Sequence, residues 1–292
     1  MINRTIVTGA NGFIGSAVVQ TLLKHHVDVL GLTREIKLDF NDYAEDNYSD
    51  QNTSRWIETI LKFQPKNVIL CDWQGVFSKD RGEKIQFSNV KRWISIVEAA
   101  GSCGVENIVA LGSQAEISAL QDGVTEDEPF SPRSVYGSAK QDAFLALTQL
   151  AEQKNSNLVW ARLFSVYGPK MSDDWFLKKM ITAIKTEKDL ETSELTQIWN
   201  FLHVDDCAQA IFSLLNNNSS GIYNIASESS VKLRDVADLI ARLCGVEHKL
   251  QIGALPFRKD ETFVMKPNIE KLINLGWKEE YSLQEGLMEL LR

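Results

Sequence analysis

A short apolar run, Thr5-Ile6-Val7, leads straight into Thr8-Gly9-Ala10-Asn11-Gly12-Phe13-Ile14-Gly15. Glycines at this spacing, between a buried strand and a helix, leave few folds open. Thr5 to Thr8 reads as a strand, Gly12 to Lys24 as a helix and Val27 to Leu32 as a second strand, a compact βαβ unit. In such a unit Gly9 permits a tight bend, Gly12 lets backbone approach a pyrophosphate, and Gly15 lets the helix lie close to the strand. The helix N-terminus then faces the phosphates, with Asn11, Phe13 and Ile14 completing the candidate cofactor-binding turn. A merely glycine-rich βα loop is the alternative.

Further apolar runs at Asn67 to Leu70, Asn107 to Leu111 and Asn157 to Phe164 alternate with helical patterns at Ser54 to Phe63, Lys84 to Ala100 and Tyr136 to Lys154. Alternation of this kind predicts an α/β fold, a Rossmann-type doubly wound parallel sheet with helices on both faces. After Gly168-Pro169 the pattern changes. A helix is expected around Trp175 to Lys185, then a polar stretch Thr186 to Thr196, a strand Ile198 to Val204 and a helix Asp205 to Leu215. A return strand at Tyr223 to Ala226, a helix at Leu233 to Leu243 and short helices at Asn268 to Leu275 and Leu283 to Leu291 follow. The expected division is a dinucleotide-binding domain over 1–168, with 197–226 returning to it, and a smaller C-terminal α/β lobe from 169–196 and 227–292.

With 292 residues and 44% hydrophobic content the chain can bury a sizeable core. Its formal charge of -8 argues against a nucleic-acid or anionic-membrane surface. Cys71, Cys103, Cys207 and Cys244 are far apart, in mainly apolar company and without metal-ligand spacing, so they read as reduced core thiols with no metal site. Met1 to Val7 lack the segments of a secretory leader, and no apolar run reaches the ~20 residues of a membrane span, so a cytoplasmic location is expected.

Tyr136 and Lys140 lie one helical turn apart and can face one cleft. A free phenol titrates near ~10 and serves poorly at neutral pH unless a cation stabilises its anion; Lys140 can supply that charge. None of the other tyrosines has a lysine four residues later. At the end of the preceding strand, Leu111-Gly112-Ser113-Gln114-Ala115-Glu116 offers a third member, Ser113, to hydrogen-bond a substrate oxygen where negative charge develops. The alternative is an amphipathic helix whose Tyr packs and whose Lys is solvated.

The Thr-Gly-x-x-Gly-x-x-Gly spacing, with Ser113, Tyr136 and Lys140, resembles the extended short-chain dehydrogenase/reductase superfamily over nearly the whole chain. The Gly-Ser-Gln-Ala-Glu string is similar to that of nucleotide-diphosphate 4-keto-6-deoxyhexose reductases. The resemblance implies a catalytic Ser113, Tyr136 and Lys140, with Tyr136 and Lys140 also touching the nicotinamide half of the cofactor. It implies a nucleotide-sugar substrate and a homodimer formed through the helices at Lys84 to Ala100 and Tyr136 to Lys154. The Asp-Glu pair of the family's dehydratases is replaced by Gln114 and Ala115.

At the second strand's end stands Thr33-Arg34 in place of an acidic residue. Nothing there repels a 2′-phosphate and a guanidinium can bind one, so NADP(H) is expected over NAD(H); a solvated Arg34 beside an unselective site is the alternative. Asp39 resembles the family's adenine-contacting Asp. Asp72 stands where relatives carry a small residue next to the cofactor ribose. Arg162-Leu163-Phe164-Ser165-Val166-Tyr167-Gly168-Pro169 resembles Arg-x-Phe-Asn-Val-Tyr-Gly-Pro, with Ser165 at a candidate substrate contact. Gln197 to Asp206 resembles Arg-Asp-Phe-x-His-Val-Asp-Asp, with Trp199 and Asn200 in place of Arg-Asp and His203 read as structural. Pro256-Phe257-Arg258 places Arg258 as a candidate for the substrate diphosphate, and Asn89 and Trp175 are candidates for sugar and base contacts. Three functions fit: an NADPH-dependent reductase of a nucleotide-linked 4-keto sugar, an NAD-dependent 4-epimerase, and a non-catalytic NADP-binding regulator.

Overall fold

The computed structural model describes residues 2, 4–33, 43–45, 54–76, 80–117, 122–247, 249–257 and 262–292. Arg34, Asp39 and Arg258 lie outside the described residues. The large sheet is built from β1 (Thr5–Thr8), β2 (Val29–Thr33), β3 (Tyr43–Glu45), β4 (Asn67–Leu70), β5 (Asn107–Ser113), β7 (Asn157–Leu163) and β11 (Gly221–Ile225). Between β5 and β7 lies the short β6 (Asp122–Val124), and β8 (Ser165–Tyr167), β9 (Leu190–Thr192) and β10 (Ile198–His203) precede β11. After it come β12 (Ser230–Lys232), β13 (Leu250–Ile252) and β14 (Lys266–Pro267). The helices are α1 (Phe13–Lys24), α2 (Ser54–Phe63), α3 (Ile85–Ser102), α4 (Val135–Lys154), α5 (Phe176–Lys185), α6 (Val204–Asn216), α7 (Leu233–Cys244), α8 (Glu270–Ile273) and α9 (Leu283–Leu291).

Every pairing in the large sheet is parallel, in the order β11-β7-β5-β4-β1-β2-β3. The order reverses between β1 and β4, and a crevice opens outside the carboxyl ends of strands at such a point. The glycine turn follows β1, so it sits at that crevice.

Burial on both faces explains why the strands read as continuous apolar runs. Neighbouring residues alternate between two cores. Val7, Ile69 and Val109 join Val18, Leu22, Ala208 and Ile211 under α1 and α6. Ile6, Val68 and Ile108 join Trp56, Trp93, Ile96 and Leu147 under α2, α3 and α4. A third core, with Tyr167, Met180, Ile184, Phe201, Val236 and Ile240, fills the small lobe.

The two strands within 197–226 join different sheets. β11 pairs with β7, whereas β10 pairs with β8 and β12 in a separate three-stranded sheet. The stretch Thr186 to Thr196, read as polar connection, holds β9, which pairs with β13. Three-residue strands carry too little periodicity to register in the sequence.

A polar ladder fixes the register at the amino ends of four central strands of the large sheet. Thr5, Asn67, Asn107 and Asn157 are successive cross-strand partners. Asn67 Nδ2 donates to Thr5 Oγ1 at 3.2 Å, Asn107 Nδ2 to Asn67 Oδ1 at 3.0 Å, and Asn157 Nδ2 to Asn107 Oδ1 at 3.1 Å. A one-residue slip of any strand would break this chain and invert its apolar faces. Asn107→Ala removes two rungs of the ladder, one to the buried Asn67 and one from the exposed Asn157, so urea unfolding is expected to show a loss of about 1–2 kcal/mol; a loss under about 0.5 kcal/mol would show that the ladder contributes nothing.

Candidate active site

Gly9 has φ +63°, in the left-handed region, and a Cβ on it would sit 3.0 Å from the Asp72 Cα, so the ends of β1 and β4 touch. A Cβ on Gly15 would collide with the Gly9 carbonyl oxygen. Gly12 donates its N–H to Gly9 O at 2.7 Å and stands as the extended N-cap of α1, with no side chain capping that end. Asn11 Nδ2 donates to Thr33 Oγ1 at 3.0 Å, which ties the turn to the end of β2. The ring of Phe13 meets Trp175 edge to face at 5.3 Å, so Trp175, expected near the substrate base, packs over the first turn of α1. A helix N-terminus free of side-chain caps and a cradle with no room for a Cβ fit a dinucleotide pyrophosphate.

Tyr136 and Lys140 lie on the first turns of α4, whose N-cap Ser134 accepts from Gly137 N at 3.1 Å. A Cβ on Gly137 would collide with the Ala115 carbonyl oxygen. The helix therefore lies flush against the 3-10 turn Gln114–Glu116, which leaves the end of β5 at Ser113. The Ser113 side chain lies close enough to the Tyr136 phenol to favour its anion, and Lys140 Nζ is 5.9 Å from the Tyr136 ring centre, so the three expected residues converge.

Burial holds the Tyr136 phenol above its ordinary value, against the lowering effect of the Ser113 hydroxyl and the Arg81 guanidinium. The Arg81 guanidinium carbon lies 5.0 Å from the Tyr136 ring centre. The sequence assigned the lowering of this phenol to Lys140. In the structure its Nζ instead donates to Leu111 O at 2.7 Å and faces the rings of Trp73 at 3.7 Å and Trp93 at 4.4 Å. Lys140 is 2% exposed, and burial pulls its ammonium down to about 7, against the opposing pull of Glu116, Asp72 and Cys71.

Asp72, the misfit at the end of β4, is neutralised where it stands. Its carboxylate pairs with Arg92 Nε at 2.7 Å and accepts from Trp93 Nε1 at 2.9 Å. Burial raises this carboxyl, but Arg92, with hydrogen bonds from Thr8, Arg92 and Trp93, outweighs burial and holds it below the usual value. Asn89 is corrected from a sugar contact to a loop clamp. It is fully buried; its Oδ1 accepts from Gln74 N at 2.9 Å and Arg92 Nη2 at 2.6 Å, and its Nδ2 donates to Gln74 O at 3.0 Å.

Ser165 and Trp199 answer each other: Trp199 Nε1 donates to Ser165 Oγ at 2.7 Å across the β8–β10 pair. Asn200 clamps the backbone of Ser227 and Ser229. His203 is buried, stacked on Tyr281 at 4.1 Å, with Nε2 3.2 Å from Glu289, which fits its structural reading. All four cysteines are free thiols, and burial pushes Cys71 and Cys207 well up.

Arg81 and Trp73 beside Tyr136 and Lys140 carried no sequence signal as site residues, and Glu116 was marked only as the last residue of the Gly-Ser-Gln-Ala-Glu string. Glu116 is fully buried, accepts from Ser113 N and from Trp160 Nε1 at 2.8 Å, and lies 3.5 Å from Arg162 Nε. Among the described residues no group of His, Cys, Asp and Glu could hold a metal ion, and no helix is long and apolar enough to cross a membrane.

The fold is similar to that of Thermus thermophilus UDP-glucose 4-epimerase in complex with NAD, with a TM-score of 0.87 at 21% identity over 99% of this chain and 97% of that one. In sequence the chain is similar to dTDP-6-deoxy-L-talose 4-dehydrogenase (NAD(+)) of Aggregatibacter actinomycetemcomitans, 27% identical over 259 residues, 85% of this chain and 91% of that protein. It is also similar to CDP-abequose synthase of Salmonella muenchen, 25% identical over 162 residues, 54% of this chain and 55% of that protein. Residues 5–226 match the model of the NAD dependent epimerase/dehydratase family, and with the glycine turn, Ser113, Tyr136 and Lys140 assembled as described, the chain is an enzyme of that family, within the extended short-chain dehydrogenase/reductase superfamily.

Proposed function

We propose that the protein reduces a nucleotide-diphosphate-linked 4-keto sugar, with NADPH favoured as the reductant. The observation that carries the reading is the convergence of Ser113, Tyr136 and Lys140 at the end of β5 beside two residues without acid/base capacity. Gln114 and Ala115 follow Ser113 directly, and an amide and a methyl group cannot remove a C–H proton or expel water. Reduction needs neither. The names of two relatives, a dTDP-sugar 4-dehydrogenase and a CDP-abequose synthase, support a nucleotide-linked sugar.

A reduced dinucleotide whose pyrophosphate is held at the glycine turn would supply hydride to the carbonyl carbon. Tyr136 gives its phenolic proton to the carbonyl oxygen, and Ser113 orients that oxygen. Lys140, with Nζ 5.9 Å from the Tyr136 ring centre, stabilises the phenolate left behind. Tyr136 is a phenol at neutral pH, as an ordinary tyrosine is, and burial raises it further, so the group holds the proton that a donor requires. A 4-epimerase, which oxidises and re-reduces one carbon on retained NAD, uses the same three residues, and the similarity in fold to an epimerase supports it as the second reading.

A screen of CDP-, dTDP-, UDP- and GDP-linked 4-keto sugars, followed by NADPH absorbance, is expected to show one equivalent of cofactor oxidised per product. Turnover of a non-keto sugar nucleotide with tightly held NAD and no net oxidation would favour the epimerase instead. Tyr136→Phe should lower kcat by about 10²–10⁴-fold with little change in KM, and full activity in that variant would remove Tyr136 as the acid. The cofactor choice rests on Thr33-Arg34. Binding measured by titration should be tighter for NADPH than NADH, with the difference lost in Arg34→Ala; equal or stronger NADH binding by the unaltered protein would refute the preference.

A further inference from the structure

Under the catalytic turn lies a carboxylate that the reaction does not consume. Glu116 is 0% exposed, and so is Arg162. Three donors converge on the carboxylate: the Ser113 N–H, the Trp160 indole N–H at 2.8 Å, and Arg162 Nε at 3.5 Å. Its own backbone carbonyl accepts from Ser131 N at 2.8 Å, so both ends of the residue are held. A carboxylate is acceptor-only and matches this set, whereas the NH2 of an amide would face a donor. Among the described residues Arg162 finds no hydrogen bond for any of its three side-chain nitrogens. Its nearby ionic partner is the carboxylate, so loss of Glu116 would leave a buried cation uncompensated.

The grip on Ser113 N–H is one half of a capping box, and the other half directs the catalytic hydroxyl. Ser113 Oγ accepts from Ala115 N at 3.2 Å. That bond holds the hydroxyl at the end of β5, beside the Tyr136 phenol whose anion it favours. The same turn is pressed against α4 at Gly137, between Tyr136 and Lys140.

We propose that Glu116 is a positioning residue for Tyr136 and Lys140: its buried carboxylate locks the Ser113 turn against the start of α4 and is the acidic partner beneath Lys140. The charged and titratable groups facing Lys140 are Glu116 from the 3-10 turn and Asp72 and Cys71 from the end of β4, with Tyr136 on its own helix. Asp72 is paired with Arg92 at 2.7 Å, and the Cys71 thiol is held protonated by burial. Glu116 exerts the largest pull of these in favour of the ammonium, opposing the burial that pulls it down to about 7. The sign follows: with Glu116 neutral, Lys140 releases its proton at lower pH and stands uncharged at neutrality.

The chemical consequence rests on the proposed reductase reading, but the test reads Lys140 without substrate. Full-length protein labelled with [ε-13C]lysine is titrated by NMR, and Lys140 is assigned by its disappearance in Lys140→Met. The unaltered protein should show this lysine with a midpoint near neutrality, and Glu116→Gln should move it down by about one unit, a tenfold loss of proton affinity. An unmoved midpoint in a folded Glu116→Gln variant overturns the proposal. Should that variant fail to fold, Trp160→Phe keeps the carboxylate but removes its indole donor; the carboxyl then protonates more readily and the Lys140 midpoint should move in the same direction. No movement there also overturns it. If the sugar-nucleotide screen yields no turnover while the lysine shifts as stated, the reductase reading fails and the assignment of Glu116 as the charge beneath Lys140 holds.

Discussion

A cation buried at the carboxyl end of a parallel sheet is the constraint around which the site is arranged. Lys140 Nζ donates to Leu111 O and faces two indole rings, partners that favour an ammonium. Such an environment still pulls the amine toward neutrality, and two carboxylates oppose it. Neither is loose. Asp72 is fixed by Arg92 and Trp93, and Glu116 by Ser113, Trp160 and Arg162. Buried charges this close must be compensated within hydrogen-bonding reach, because leaving one unpaired costs about 3–5 kcal/mol. The aromatic cluster of Trp73, Trp93, Trp160 and Phe144, in edge-to-face contact, excludes water from these pairs and strengthens each of them.

The departures from the family pattern are compensated locally. Asp72 intrudes where a small neutral residue is usual, and Arg92 one helix later neutralises it while Asn89 ties that guanidinium to the Gln74 loop. Ser165 and Trp199 each look like the loss of a polar contact, yet the indole N–H of one finds the hydroxyl of the other. Their hydrogen bond joins β8 to β10 in the small sheet, so the two changes form one unit of packing. Residues that differ from relatives in pairs preserve hydrogen-bond satisfaction, which a single change would break.

Sequence spacing made the glycine turn, the Tyr136/Lys140 pair and most of the large sheet legible, because each rests on contacts within a turn or on periodicity within an element. Gly15 must lack a side chain to let α1 pass the Gly9 carbonyl, and that requirement is written within seven residues. The roles of Asn89, Asp72 and Glu116 were not legible for the opposite reason. Their partners stand far along the chain: Asp72 and Arg92 are 20 positions apart, and Trp160 and Glu116 are 44 apart. An asparagine on a helix gives no local sign that a loop will fold back over its amide. β9, β12 and β13 were not legible because three residues cannot display a period, and the pairing of β10 was not legible because its neighbours β8 and β12 are of that kind.

The state of Tyr136 bears on when its proton moves. An acid that serves a ketone reduction must keep its proton until charge builds on the carbonyl oxygen, then give it up to an oxygen that has become the stronger base. Burial and the nearby Glu116 charge raise the phenol, while Ser113 and Arg81 lower it by less. The resting group is therefore the phenol, as it is for a tyrosine in water. Burial acts with opposite sign on the two members of the pair, lowering the Lys140 ammonium and raising the Tyr136 phenol, so on the proposed reading the cations beside the ring matter most once the proton has left.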